Sequence, residues 1–323
     1  MPENRPLNGI PDTAHFDWGP LDVPVSGMGD SQVADWVSDK LSRPSQSPFF
    51  LGCGFFRPHL PWYAPREYFD LHPLEGIVLP EVKPDDLEDV PELGRRMARP
   101  SGDHASVTGH AQWRNAVRAY LACTSFMDAC LGRVIHALDS GPHRDNTIVV
   151  LASDHGWHLG EKLHWRKFSL WEESTRNILF FRVSGLTEPG GICDSTVNLL
   201  DIYPTLAGLC PLDGGAALEG RSLVPLLENP AADWEYPTLT TYGRNNHSVR
   251  SRQWRYTRYS DGTEELYDHG ADPLEWNNLA ADPNHAGVKK ELARWMPSRN
   301  ADYVLSGKPG ERTMNERLRA VHP

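Results

Sequence analysis

Residues 147–167 read TIVVLASDHGWHLGEKLHWRK. The first six residues form an apolar, β-branched run, which is typical of a strand buried on both faces. The run ends abruptly in Asp154-His155-Gly156, and open α/β sheets collect their chemistry beyond the carboxyl ends of such strands. We therefore predict an α/β fold with a functional site directly after this strand.

The residues behind this strand offer the donor atoms of a binding site. Asp154 supplies carboxylate oxygens, His155 supplies a ring nitrogen, and Gly156 lets the backbone turn tightly. In the alternative interpretation, Asp154 only caps the next segment and the histidines lie on the surface. So many polar groups behind one core strand favour the functional interpretation. We expect four side chains to face the same cleft as substrate contacts, with the alternative that some of them only pack or cap: Trp157, His158, His164 and Arg166.

Composition excludes several classes of partner. The net charge of -11 and the sequence pI of about 5.7 argue against a nucleic-acid or anionic-membrane partner. No run approaches the roughly 20 apolar residues of a membrane span. Residues 1–30 contain five prolines and no apolar h-region, so we expect no signal peptide here. The five cysteines show no spacing that predicts a disulfide framework.

The first 230 residues show the pattern of an α/β domain. Apolar runs predict buried strands at residues 49–54 and 178–183. Apolar residues at helical spacing predict a long helix over residues 113–138, which Gly141-Pro142 ends. A further helix begins at Asp201, which can cap it.

The pattern changes beyond about residue 230. Four short aromatic or β-branched runs predict strands at 238–242, 247–251, 254–259 and 264–267, and Asp261-Gly262 predicts a hairpin between the last two. Residues 283–295 predict a closing helix. The sequence therefore indicates two domains, an α/β domain at 1–230 and a smaller antiparallel sheet with a helix at 231–323.

Four ordered blocks of this sequence, at residues 49–62, 147–167, 200–206 and 265–279, resemble conserved motifs of the type I sulfatases. These enzymes belong to the alkaline-phosphatase-like superfamily, and the resemblance is closest to the branch that contains iduronate 2-sulfatase. The resemblance implies a sheet flanked by helices and hydrolysis of sulfate esters of sugars or glycans. It does not identify the ester.

The resemblance also implies roles for individual side chains. Asp154 and His155 match two ligands of a calcium ion. Zinc is the alternative, but it prefers more nitrogen and sulfur donors than these motifs offer. Lys167 matches a lysine that contacts the substrate sulfate, and His59 matches a histidine that hydrogen-bonds sulfate or protonates the leaving oxygen.

Two further motifs have competing interpretations. His247, within Asn245-Asn246-His247-Ser248, is expected either to reach the sugar from the smaller sheet or to lie in an ordinary surface loop. The tandem pair Asp85-Asp86 does not follow an apolar run, so we expect a solvated loop there and not a metal site.

The nucleophile that the resemblance implies is a formylglycine made from a cysteine, or sometimes a serine, in a C/S-x-P/A-x-R motif. None of the five cysteines lies in this motif. Ser42-Arg43-Pro44 and Ser251-Arg252-Gln253 have the residue types in the wrong order. The sequence therefore resembles the C-terminal two thirds of a sulfatase, and we expect the chain alone to be inactive. A separately encoded N-terminal sulfatase segment is the expected partner.

Two other functions remain open at this point. The chain is alternatively a phosphatase or phosphodiesterase relative within the same superfamily, because fold alone does not choose between phosphate and sulfate. It is alternatively a non-catalytic pseudo-sulfatase. Full-length members of the family suggest a periplasmic, extracellular or lysosomal location.

Overall fold

The computed structural model describes residues 2–11, 15–210, 212 and 218–301. Within these ranges the helices are α1 Gly29–Leu41, α2 Arg66–Asp70, α3 Glu92–Ala98, α4 Asp103–Gly109, α5 Trp113–Asp139, α6 Glu172–Thr175, α7 Ile202–Leu209, α8 Val224–Glu228 and α9 Ala286–Ala293. The strands are β1 Trp18–Leu21, β2 Trp62–Pro65, β3 Val149–Ala152, β4 His158–Leu159, β5 Trp165–Arg166, β6 Leu179–Arg182, β7 Thr238–Thr241, β8 His247–Arg250, β9 Trp254–Arg258 and β10 Glu264–Asp268.

The first compact unit consists of Met1–Glu81 and Ser101–Thr147. Its strands β1 and β2 pair in parallel, with Trp18 opposite Trp62. Helix α5 packs against α1 and β2, and its buried residues include the small Ala119 and Ala122.

Helix α5 is long and apolar enough, by length and composition, to cross a membrane. One such helix is weak evidence, because the core helix of a globular protein passes the same test. The sequence pattern predicts a core helix here, and the structure confirms the helix within one residue at its C-terminal end. Its buried face includes Cys123, Phe126 and Cys130, which are at most 1% exposed. These two cysteines are core residues and not reactive thiols.

The second compact unit consists of Val82–Pro100 and Ile148–Pro323. Strand β3 pairs antiparallel with β6, so that Val149 lies opposite Arg182. The short strands β4 and β5, which follow β3 in the chain, pair as an antiparallel hairpin. The antiparallel strands β7, β8, β9 and β10 form one sheet in that order.

The C-terminal sheet was predicted closely. Its core contains Val249, Tyr256 and Leu266 from the sheet, and Leu292 from α9 packs against them. The Asp261-Gly262 hairpin is present, since Gly262 has a φ of 85° and thus takes the left-handed conformation that favours glycine. The mixed α/β fold with a small C-terminal antiparallel sheet is confirmed.

Three of the predicted buried strands need correction. Residues 49–54 form no strand, and Phe50 is 90% exposed. An apolar run becomes a strand only where a neighbour completes the hydrogen-bond ladder, and none of the described strands pairs with this run. Strands β3 and β6 do form, but they are only partly buried, and Phe180 of β6 is 59% exposed.

The compact units do not follow the predicted boundary at residue 230. Residues 82–100 belong with the C-terminal unit, and the first unit ends at Thr147. Residues 82–100 join the C-terminal unit because Leu93 and Met97 of α3 pack against Leu170 and Tyr259. The division into domains at 1–230 and 231–323 stays a prediction.

Candidate functional site

The turn after β3 carries the two predicted metal ligands. The Ser153 backbone N–H extends the pairing of β3, since it donates to the Ile178 carbonyl at 3.2 Å. The chain then leaves the sheet at Asp154, whose side chain is 86% exposed, and at His155, whose side chain is 23% exposed. Both side chains therefore lie where a dissolved ion can reach them.

His155 is held in one tautomer. Its Nδ1 lies 2.8 Å from the Gly156 carbonyl oxygen, and because a carbonyl only accepts, Nδ1 carries the proton. Nε2 then presents a lone pair, and Lys167 Nζ lies 2.7 Å from it. Asp154 Oδ1 lies 3.6 Å from the same nitrogen. The Asp154 carboxylate and the Lys167 ammonium thus both lie within 3.6 Å of His155 Nε2.

This donor set fits a divalent cation. An oxygen and a nitrogen that lie 3.6 Å apart can both bind an ion at the about 2.3–2.6 Å typical of calcium. The hydrogen bond from Nδ1 to a backbone carbonyl orients the ring in the way that is usual for metal-binding histidines. Asp154 and His155 provide only part of the coordination, because calcium takes about six to eight ligands.

Gly156 allows the turn to lie against α6. Its backbone N–H donates to the Ser174 carbonyl at 2.9 Å. A Cβ atom at this position would lie 2.1 Å from the Glu173 carbonyl oxygen and 2.4 Å from that of Arg176. Only glycine fits this approach, so the backbone next to His155 rests directly on α6.

The structure places two predicted substrate contacts in the interior. His158 is fully buried, with Nε2 at 2.9 Å from the Ser169 hydroxyl. His164 is also buried, and its Nδ1 lies 2.8 Å from the Ala98 carbonyl. Burial, followed by the neighbouring His164, holds the pKa of His158 well below its ordinary value. These rings fix the loop from within, contrary to the expectation that they face a cleft.

His247 also differs from both of its interpretations. It lies in strand β8 at 3% exposure, and its Nδ1 is 2.9 Å from the Thr241 hydroxyl. Burial lowers its pKa. His247 therefore lies neither in a surface loop nor at a surface open to a sugar, because its ring is buried in the sheet and hydrogen-bonded to Thr241.

Trp157 and Arg166 are partly exposed. The centroid of the Trp157 ring lies 6.0 Å from that of His155, and Arg166 precedes Lys167 at the end of β5. Their assignment as substrate contacts stays a prediction.

His59 belongs to the first unit and lies in a loop held by α1. The carboxylate of Asp30 accepts the backbone N–H groups of Phe56 and Arg57, each at 2.9 Å. His59 itself is partly buried, and its Nδ1 lies 2.8 Å from the Leu60 carbonyl. Asp30, in the first turn of α1, thus positions the loop before His59.

The Asp85-Asp86 pair is only half solvated. Asp85 is exposed, but Asp86 is buried at 1% and pairs with the buried Lys162 at 2.8 Å. Burial raises the pKa of Asp86 although the Lys162 ammonium opposes the shift. The solvated-loop expectation is thus wrong for Asp86, which forms an ion pair and faces no site open to solvent.

Comparison with known proteins bears on these assignments. The family model "Sulfatase" matches residues 2–212, and the model "N-sulphoglucosamine sulphohydrolase, C-terminal" matches residues 160–302. A sulfatase from Formosa agariphila is 41% identical over 89% of the chain. The chain belongs to the sulfatase family.

Other relatives agree with this assignment. Human iduronate 2-sulfatase is 33% identical over 81% of the chain. The chain spans 57% of the length of the Formosa relative and 64% of the human one. The structure of a phosphonate monoester hydrolase from Silicibacter pomeroyi matches the fold with a TM-score of 0.75, at 22% identity, over 93% of this chain and 62% of that one.

Sulfatases of this family are generally metal-dependent, and the described residues contain a second acidic group. Donor atoms of Glu172, His269 and Glu275 lie within 4.8 Å of one another. The guanidinium of Arg255, however, forms ion pairs with both carboxylates, and Arg250 also pairs with Glu172. A cation would have to displace these guanidinium groups, so the group fits an ion-pair network better than a metal site.

This network was not anticipated as part of the site. Arg255 is 1% exposed and Glu275 has a side chain that is 2% exposed. Burial opposes ionisation of Glu275, but Arg255 and His269 outweigh it and hold the pKa well below its ordinary value. The only sequence signal was the similarity of residues 265–279 to a sulfatase motif, which names no partner across the fold.

One match to the sulfatase nucleophile motif was also missed. Ser140-Gly141-Pro142-His143-Arg144 fits S-x-P-x-R. Ser140, however, caps the C-terminal end of α5, where the helix dipole disfavours an anion. This serine is therefore poorly placed to act as a nucleophile on sulfate.

Proposed function

We propose that this sulfatase hydrolyses sulfate esters of sugars, and that this chain holds the sulfate group and its counter-cation. The meeting of Asp154 Oδ1, His155 Nε2 and Lys167 Nζ at the end of β3 carries the proposal. The named activity of the iduronate 2-sulfatase relative supports a sulfated sugar as the substrate class.

The chemistry of the ester explains why these groups belong together. Negative charge develops on the transferred sulfuryl oxygens and on the leaving oxygen, and fixed positive groups stabilise it. A calcium ion bound by Asp154 and His155 would supply such charge. Lys167 then donates to a sulfate oxygen instead of to His155, and a compact ammonium suits that contact.

Protonation of the leaving oxygen is assigned to His59 on the resemblance alone. A sugar alkoxide is a poor leaving group, so a positioned proton donor accelerates its departure. We assign the nucleophile to a sulfatase segment outside these 323 residues, because no cysteine between residues 1 and 323 lies in the formylglycine motif. The location remains the periplasmic, extracellular or lysosomal one that the resemblance suggests.

The proposed metal is calcium. Asp154 offers the oxygen that calcium prefers, whereas zinc selects nitrogen and sulfur ligands. Metal analysis of the purified protein tests this assignment. About one calcium per chain supports it, and about two zinc ions per chain would favour a phosphoryl-transfer relative.

Binding of a sulfated monosaccharide tests the proposed function directly. Calorimetry should detect binding in the presence of calcium, and Lys167→Ala should abolish it. Lys290→Ala is the matched control, since Lys290 is an exposed lysine on α9. Equal binding by wild type and Lys167→Ala would contradict the proposal, as would tighter binding of the corresponding sugar phosphate.

A further inference from the structure

The backbone turn that carries His155 rests on residues 169–176, which we term the bracing segment. Gly156 donates to Ser174 within it at 2.9 Å, and the tight approach of Gly156 to the Glu173 carbonyl leaves no room for adjustment. A shift of the bracing segment therefore shifts the backbone next to His155.

The bracing segment is held by the C-terminal sheet and by Glu275 in the loop after β10. The backbone N–H of Glu172 donates to Glu275 Oε2 at 3.0 Å. Arg255 of β9 donates to the Leu170 carbonyl at 3.1 Å and pairs with the Glu172 carboxylate. The indole N–H of Trp171 donates to Glu265 at 2.7 Å. Leu170, Trp171 and Glu172 are thus each bonded to the sheet or to the loop that follows it.

Charge and burial make Glu275 the centre of this attachment. Its buried carboxylate accepts from the Glu172 backbone, from Arg255 and from His269. Burying ions is costly, and apolar residues of similar volume often stabilise a protein equally well. An ion network is, however, directional, so it fixes where the Glu172 backbone lies.

We propose that Glu275 and Arg255 are positioning residues for the cation site. They act through Glu172 and Gly156 on the orientation of His155. The proposal rests on the proposed function, because it takes Asp154 and His155 as the cation ligands. Outer contacts of this kind typically change metal affinity about 10- to 100-fold when they are removed.

The test compares Glu275→Gln with Glu264→Gln in the full chain. Glu264 lies in β10 and pairs with Lys289, so Glu264→Gln removes one carboxylate that pairs outside the bracing segment. Terbium serves as the probe, because Trp157 lies near His155 and its excitation can sensitise terbium emission. Glu275→Gln should weaken terbium affinity at least about tenfold, whereas Glu264→Gln should leave it within about twofold of wild type.

A second readout separates this proposal from the proposed function. Hydrogen exchange at the Gly156 amide should be faster in Glu275→Gln and unchanged in Glu264→Gln, even if no cation binds. Failure of wild type to bind terbium contradicts the cation site itself. Unchanged Gly156 exchange or unchanged terbium affinity in Glu275→Gln overturns the positioning role.

A milder variant covers loss of folding. If Glu275→Gln does not fold, Arg255→Lys keeps the positive charge but removes the guanidinium that contacts Leu170, Glu172 and Glu275. It should also speed exchange at the Gly156 amide. Wild-type exchange in Arg255→Lys would then overturn the proposal.

Discussion

Lys167 Nζ lies 2.7 Å from His155 Nε2, so a predicted sulfate contact occupies the lone pair of a predicted metal ligand. The two groups cannot keep this hydrogen bond once His155 binds a cation. The release of Lys167 should therefore couple the two binding events. Cation binding should favour sulfate binding, and the coupling is reciprocal by thermodynamic necessity.

Substitution of Lys167 separates the two events. Lys167→Met removes the ammonium beside Nε2, so we expect calcium affinity to rise a few-fold and affinity for a sulfated sugar to be lost. Titration calorimetry with each ligand measures both effects. Lys290→Met should change neither, and a fall in calcium affinity in Lys167→Met would contradict the coupling.

Gly156→Ala should destabilise the protein. The new methyl group would lie 2.1 Å from the Glu173 carbonyl oxygen, and overpacking of this kind costs about 1–3 kcal/mol. Gly132→Ala is the control, because Gly132 lies within α5 and, apart from its chain neighbours and the backbone of its own helix, no atom lies within 4 Å of the added Cβ. It should stabilise the helix by about 0.5–1 kcal/mol. Urea unfolding measures both values, and equal midpoints would show that the turn has room to relax.

Acid should weaken the attachment of the bracing segment. The pKa of Glu275 in the folded chain lies well below its ordinary value of 4.5. As the pH falls, Glu275 is therefore protonated in the unfolded chain before it is protonated in the folded chain. The stabilisation is therefore complete above pH 4.5 and is lost as the pH falls below it. Melting temperatures of Glu275→Gln should depend less on pH in this range than those of wild type. Glu291→Gln, on the exposed face of α9, should follow wild type.

The β3–β6 pair exposes apolar surface and should promote self-association. Phe180 is 59% exposed on a two-stranded ladder, and an open apolar edge is a template for pairing with another chain. Light scattering over a range of concentrations should show less association for Phe180→Ser than for wild type. Phe50→Ser removes a phenyl group that is 90% exposed outside any strand and should have the smaller effect. The reverse order would indicate that exposure alone causes association.

Local sequence patterns predicted elements whose partners are close along the chain. Helix α5 and the β9–β10 hairpin follow from periodicity and from Asp261-Gly262, and the structure confirms both. Residues 49–54 fail as a strand because strand formation depends on a neighbour that an apolar run does not specify.

The candidate site was predictable to the same extent. Asp154, His155 and Lys167 lie within one motif, and the structure brings their polar atoms together. The burial of His158 and the ion pair between Asp86 and Lys162 depend on contacts between distant segments. Polar residue type alone does not distinguish a ligand from a buried structural group.

Calcium titration calorimetry tests the central claim most directly. Asp154 and His155 supply only part of a calcium shell, so we expect one site per chain with a Kd above about 1 µM. Both Asp154→Ala and His155→Ala should abolish it, whereas Asp85→Ala, which removes an exposed carboxylate, should not. Calcium binding that survives both substitutions, or no calcium binding by wild type, would contradict the claim that this turn holds the cation.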